Sequence, residues 1–207
     1  MGAVAAGLSL RMHWFPGIVA AYAAHAWLAA IALAWFFWLG RRFPVGTLSR
    51  RELIPWYVLW LLAVLGNALL AFSAPPDSIR LPAAPLLVAD LVFLGVVVGP
   101  TEELLFRGLV QTGVNGSVAW ELRVFGLRLR LGTMLAAGAF GLWHLVNLTY
   151  QPIGPTAVQV LSATAIGLVI GVVYDRTRNL VGAAILHSLL DFSGTVLPLV
   201  AYSAIHR

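Results

Sequence analysis

The chain has 207 residues, 60% of them hydrophobic and only 10% charged, and its formal net charge of +5 rests on arginine alone, since no lysine is present. A soluble domain carries about 25% charged residues, so the composition excludes an ordinary soluble fold and points to one integral membrane domain over residues 1–207. Arginines in short loops between apolar segments are topology signals, which sets nucleic acid aside as a partner, and the lack of cysteine excludes disulfides, thiolate chemistry and thiolate-held metal.

The first 14 residues, MGAVAAGLSLRMHW, do not have the order of a secretory signal, because Arg11 follows the apolar part instead of preceding it. Six membrane helices are then expected, at 15–39, 53–72, 84–113, 132–149, 156–174 and 180–200, since about 20 apolar residues cross a bilayer. The third is too long for one straight span and contains Pro100, so it is read as a kinked helix or two shorter ones. The last is open to a break near Gly194 or Pro198. The expected fold class is all-α: a polytopic transmembrane bundle of six to eight helices around a central cavity. No repeat, low-complexity segment or long linker interrupts it. Aromatic residues near span ends, such as Trp14, Trp56 and Tyr150, read as interfacial anchors.

The loops set the orientation. RRFPVGTLSRR (41–51) carries four arginines, WELRVFGLRLR (120–130) three arginines and one acid, and DRTR (175–178) two arginines. With six crossings these three loops share a side, and Arg11, Arg80 and Arg207 fall opposite. The positive-inside rule places the arginine-rich loops in the cytoplasm and both termini outside, in a bacterial or archaeal plasma membrane.

Ionisable residues inside apolar spans are expensive and tend to face cavities and serve a function. Here they are Asp90, Glu102, Glu103, Arg107, His144, His187 and Asp191, with His25 a further, isolated one. At 1.5 Å per residue, Glu102, His144 and Asp191 lie roughly 16–18 Å from the arginine-rich side, and His187 about 10 Å. Separate helices thus bring polar groups to a common layer near mid-membrane. Glu103 and Arg107 are four apart and share a helix face, as do His187 and Asp191. Glu102 lies about 100° round the helix from Glu103 and is the acid free for chemistry. Asn147, three residues after His144, is on a similar face. Asp90 is assigned no role.

A carboxylate and two histidines in a shielded pocket activate water in either of two ways. They hold zinc as a His₂Glu site with an open position, here from Glu102, His144 and His187. Or the carboxylate acts directly as general base while other polar groups stabilise an oxyanion. The cofactor is therefore none or one zinc ion, and hydrolysis is the reaction class.

EELLFR (102–107), FGLWH (140–144) and HSLLD (187–191), with FRGLVQ after the acids and GVVYDRTRNLVGAAILH before the last histidine, resemble the EExxxR, FxxxH and HxxxN/D motifs of the CPBP intramembrane proteases. That group contains the type II CAAX prenyl endopeptidases and bacterial relatives. The resemblance spans about 90–195, within a catalytic core of about 84–200. It implies that Glu102 activates water with His144, that His187 and Asp191 stabilise the oxyanion, and that Glu103 and Arg107 support the site. Asp191 stands where many members have Asn. The implied substrate is a membrane-associated peptide or protein, cut near a lipidated or sorting tail; the sequence fixes no oligomeric state. Two other classes remain open: a catalytically idle membrane binding or immunity protein, and a proton-coupled transporter.

Overall fold

The computed structural model describes residues 15–39, 54–55, 57–62, 64–65, 84–124, 126–149 and 152–205. Half of the expected 53–72 span, the 41–51 loop, the first 14 residues, Arg80, Arg207, Trp56 and Tyr150 lie outside them.

Helix α1 is Phe15–Leu39. The next element, α2, is one helical run over 84–117 in five pieces: Ala84–Val92, a π-helical Phe93–Val98, Gly99–Glu103, a second π-helical Leu104–Gln111, and Thr112–Ser117. The expected kink or break near Pro100 is replaced by these two wide turns. Pro100 sits in the first turn of Gly99–Glu103, directly after a segment bonded i→i+5. That widened turn accommodates the missing N–H and the ring, which a tight α turn does not. The second π segment closes with the Thr112 N–H on the Arg107 carbonyl. The Thr112 hydroxyl bonds the same carbonyl at 2.7 Å and accepts from Tyr174 at 3.0 Å.

Residues 121–130, expected as a plain loop, form an antiparallel hairpin, β1 (Glu121–Val124) and β2 (Leu127–Arg130). ELRV and LRLR alternate with period two, and Gly126 supplies a positive φ of 77° between them. The register pairs Glu121 with Arg130 and Arg123 with Arg128 on one face, and Leu122 with Leu129 on the other. Glu121 bonds Arg128 at 2.6 Å and Arg123 at 3.3 Å. The Arg128 hydrogen bond is the main cause that holds the exposed Glu121 carboxyl below the usual carboxylate range. Helix α3 is Leu131–Trp143, continued by a 3₁₀ turn at His144–Thr149; α4 is Ile153–Thr177 and α5 is Leu180–Ile205. The break considered near Gly194 or Pro198 does not occur, since α5 is helical through both.

Among the described residues, three helices are long and apolar enough to cross a bilayer: Leu131–Thr149, Ile153–Thr177 and Leu180–Leu197. Large apolar side chains such as Phe37, Trp38 and Leu161 are exposed. Lipid is the solvent for such a surface. The chain is an all-α integral membrane protein with one small hairpin.

Packing depends on small residues at helix crossings, as membrane bundles require. A Cβ on Gly99 would lie 2.8 Å from the Ser188 amide nitrogen and 3.1 Å from the Ala184 carbonyl, so α2 and α5 meet backbone to backbone. A Cβ on Gly141 would lie 2.8 Å from the Val160 carbonyl, which joins α3 to α4 in the same way. Phe106, Phe140 and Ala163 fill the space between α2, α3 and α4; Ile170, Tyr174, Leu180, Ala183 and Leu186 fill that between α4 and α5. The α4–α5 turn is two residues long: Arg178 closes α4 in the left-handed conformation (φ 53°), and the Asn179 side chain accepts from the Gly182 N–H at 2.8 Å to cap α5.

A polar clamp ties α2, α3 and α4 below the site. Gln111 donates to Thr133 (3.1 Å) and to the Gly171 carbonyl (2.8 Å); Asn115 donates to Asp175 (3.0 Å); Thr133 donates to the other Asp175 oxygen. Arg130, at the end of the hairpin, donates to the Asn115 carbonyl at 2.6 Å. The hairpin and the DRTR turn are thereby brought to one end of the molecule, so two of the three arginine-rich loops share a side.

Candidate active site

The site forms where the α segment Gly99–Glu103 crosses α5. Glu102, Glu103 and Arg107 are 3%, 0% and 0% exposed, and His187 is 5% exposed. Glu103 and Arg107 pair as their spacing requires, Oε1 to Nη1 at 2.9 Å. Arg107 also donates from Nη2 to the Gly167 carbonyl at 3.0 Å and lies 4.9 Å from the centroid of Phe140. Gly167 leaves room for this, because a Cβ there would lie 3.3 Å from Nη2. The guanidinium thus links α2, α3 and α4 at full burial.

His187 reaches both acids. Its Nδ1 lies 2.8 Å from Glu103 Oε1. Its Nε2 is 3.7 Å from Glu102 Oε2 and 3.6 Å from Asp191 Oδ2, beyond direct hydrogen-bond length. With Nδ1 donating to the Glu103 carboxylate, Nε2 is the nitrogen turned to the space beside Glu102. An oxygen placed beside the line from Nε2 to Oε2 is within hydrogen-bond reach of both.

Glu102 has partners that sequence spacing did not pair with it. The Trp143 indole donates to Oε1 at 3.1 Å. His25 Nε2 of α1 lies 3.1 Å from the same oxygen. His25, isolated in the sequence, is in the site. No spacing rule finds it, because it sits alone on a distant helix. The only sequence signal is an ionisable side chain in an otherwise apolar span.

His144 follows Trp143 and begins the 3₁₀ turn. Its Nδ1 bonds the Phe140 carbonyl at 2.9 Å, and its ring is edge-on to Phe140 at 5.1 Å. Phe140 is also edge-on to His187 at 5.4 Å, so one ring spaces the two histidines. Asn147 donates to Gln159 of α4 at 2.8 Å. That bond fastens the 3₁₀ turn to α4. Among the described residues, no three His, Asp or Glu side chains are gathered so as to hold a metal ion. The set Glu102, His144 and His187 does not fit zinc in this arrangement.

An apolar groove of about 440 Å³ lies between the first half of α2 and α5, lined by Val92, Gly95, Val96, Ser188 and Phe192 among others. Ser188 is the residue after His187 on α5.

The site thus holds a buried acid pair on one helix, a histidine four residues before an acid on another, and a second histidine after an aromatic turn. The family model for Rce1-like type II CAAX prenyl endopeptidases matches residues 84–193. The chain belongs to this family. No curated protein and no solved structure matches it. In this Rce1-like chain the matched region runs from the start of α2 to just past Asp191, and so contains every motif residue. It leaves out α1 and His25.

The α2–α5 approach in this Rce1-like site supplies a prediction. Gly99→Ala should push α5 from α2 and lengthen the His187–Glu103 contact. Overpacking of this kind costs about 1–3 kcal/mol. Thermal unfolding in detergent should show a lower midpoint than Gly95→Ala, whose Cβ would meet nothing within 4 Å. Equal midpoints would contradict the close crossing.

Proposed function

We propose that the protein is an intramembrane endopeptidase that cuts a peptide bond near a membrane anchor, with Glu102 as the water-activating base. The observation that carries this is the buried Glu102 Oε2 facing His187 Nε2 at 3.7 Å, beside Asp191, on helices that the family match covers.

The step runs as follows. Water between Glu102 and His144 gives a proton to Glu102 Oε2, and its oxygen attacks the scissile carbonyl carbon. The carbonyl electron pair moves to oxygen, and the tetrahedral oxyanion is stabilised by donation from Nε2 of His187 acting as an imidazolium, whose Nδ1–H is held by Glu103. Asp191 accepts and does not donate when ionised, so it acts through His187 by orienting the ring. Glu102 then gives its proton to the amide nitrogen, the oxyanion pair re-forms the carbonyl as the C–N bond breaks, and a carboxylic acid and an amine leave; the acid's proton then passes to the amine. Glu103 takes no proton in this scheme. It holds His187 through Nδ1 and neutralises Arg107. The low-dielectric, water-poor surroundings strengthen each of these interactions.

The groove between α2 and α5 supports a substrate that arrives sideways from the bilayer, carrying an apolar or lipidated segment. The arginine-rich loops, two of which meet at one end, support a cytoplasmic placement of that end. One domain serves both recognition and chemistry.

The test compares new peptide termini by mass spectrometry in membranes of a host that expresses the wild type or Glu102→Gln at equal levels. Termini present only with the wild type are expected. Identical terminus lists, with the variant still folded, would favour a binding protein that keeps the site as scaffold.

A further inference from the structure

Helix α1 is apolar apart from a few side chains, and two of them, Tyr22 and His25, are three residues apart on one face. Both point at α2. The Tyr22 hydroxyl donates to the Ala89 carbonyl at 3.0 Å. His25 Nε2 lies 3.1 Å from Glu102 Oε1. The imidazole is held edge-on by Phe93 at 5.0 Å and Trp143 at 6.4 Å, both with interplanar angles of 83°. Phe93 belongs to the buried cluster with Leu94 and Val98, and Tyr22 packs against it. The ring that meets Glu102 is therefore fixed from three helices.

The second ligand of Oε1 settles what this does. An indole N–H donates and never accepts, and Trp143 occupies Oε1 from the α3 side at 3.1 Å. Oε1 is thereby an acceptor, and His25 is placed to supply its second donor. A carboxylate oxygen accepts about two hydrogen bonds in its plane. With Oε1 filled, Oε2 is the oxygen left for chemistry, and it is the one that faces His187 Nε2 at 3.7 Å. The remaining charged neighbours leave Oε1 alone: Arg107 pairs with Glu103, His187 bonds Glu103 through Nδ1, and Asp191 Oδ2 lies 3.6 Å from the same His187 Nε2 that faces Oε2.

We propose that His25 is a positioning residue for Glu102: together with Trp143 it saturates Oε1, sets the carboxylate plane, and leaves Oε2 as the oxygen that takes the proton from water. The inference rests on Glu102 being the base. It extends the site to a helix outside the matched residues 84–193.

The experiment uses the full chain in lipid nanodiscs, as wild type, His25→Phe, His25→Gln, Glu102→Gln and the His25→Phe/Glu102→Gln double variant. Two quantities are read: turnover of a quenched fluorescent peptide bearing an S-farnesyl cysteine three residues before its C-terminus, and the thermal midpoint. Phenylalanine keeps the packing against Phe93 and Trp143 but has no donor. It should lower kcat about tenfold or more, as expected for a misplaced general base, with KM nearly unchanged. Glutamine carries an N–H at a similar reach and should restore most of the loss. The midpoint shifts of His25→Phe and Glu102→Gln should not add, because residues in contact couple. Additive shifts overturn the proposal, as does full activity in His25→Phe. So does an equal loss in both His25 variants with lowered midpoints, which is what a purely structural histidine gives. If wild type and Glu102→Gln are alike toward the peptide, the hydrolase reading falls by itself, and the coupling in thermal midpoint still decides whether His25 holds Glu102.

Discussion

Arg107→Met should melt the protein far below the wild type. Arg107 is fully buried, and its guanidinium pairs with Glu103, bonds the Gly167 carbonyl and stacks near Phe140. Removing one partner leaves the Glu103 carboxylate buried with only His187 as a donor. Breaking a buried pair from one side costs about 3–5 kcal/mol. At about 2–4 °C per kcal/mol for a chain of this size, the midpoint falls by roughly 10 °C. A partner change distinguishes charge from shape: Glu103→Leu in the Arg107→Met background should recover part of the loss, because an apolar pair replaces an unpaired ion. A midpoint within 2 °C of wild type, on the scale of ordinary surface substitutions, would show that the arginine is not structural.

The two neighbouring acids should separate cleanly in activity. Glu102→Gln keeps an oxygen for Trp143 and His25, but a neutral amide oxygen accepts more weakly than a carboxylate, so the variant should stay folded with a modestly lowered midpoint. It removes the proton acceptor, and kcat should fall by about 10²–10⁴, the usual worth of a general base. Glu103→Gln also keeps one oxygen for Arg107 and His187, but it leaves a buried guanidinium without its counter-charge. It should lose stability first, with activity following the folded fraction. Circular dichroism melts beside single-turnover rates on the same preparations read both quantities. If Glu103→Gln is stable and inactive while Glu102→Gln turns over normally, the roles of the two acids are reversed.

Much of this arrangement was legible in the sequence because helical spacing is a strong constraint. Glu103 to Arg107 and His187 to Asp191 are four apart, and both pairs are found as spacing requires, the first at 2.9 Å and the second at 3.6 Å. The membrane helices of the second half were legible from apolar length alone. What spacing cannot give is contact between helices. His25 and Trp143 reach Glu102 across 77 and 41 positions of chain, and no spacing rule connects either one to it. The same holds for Asn115 and Asp175, which are 60 positions apart and joined at 3.0 Å. The hairpin was missed for a different reason. Its two-residue alternation was present in ELRV and LRLR, but a search for apolar runs weighs net greasiness and overlooks period. The wide turns of α2 were hidden because a helix bonded i→i+5 has no sequence signature of its own beyond a proline that a regular helix rejects.

Those wide turns make the region more sensitive to length than to identity. Between Glu103 and Thr112 the chain carries its motif acid at one end and the Gln111–Asn115 clamp at the other. Deleting a single residue from Leu104–Gln111 would let the segment relax into ordinary α-helix, which is locally favourable. It would also change the rise and register of everything beyond it and shift Gln111 and Asn115 relative to Thr133, Gly171 and Asp175. Substitutions of the lipid-facing side chains along this stretch alter one contact at a time, whereas a one-codon deletion uncouples the acids from the end of the molecule that holds α3 and α4 in place. Lineages of this protein should therefore vary freely in the side chains of Leu104–Gln111 that face lipid, and keep the number of residues constant.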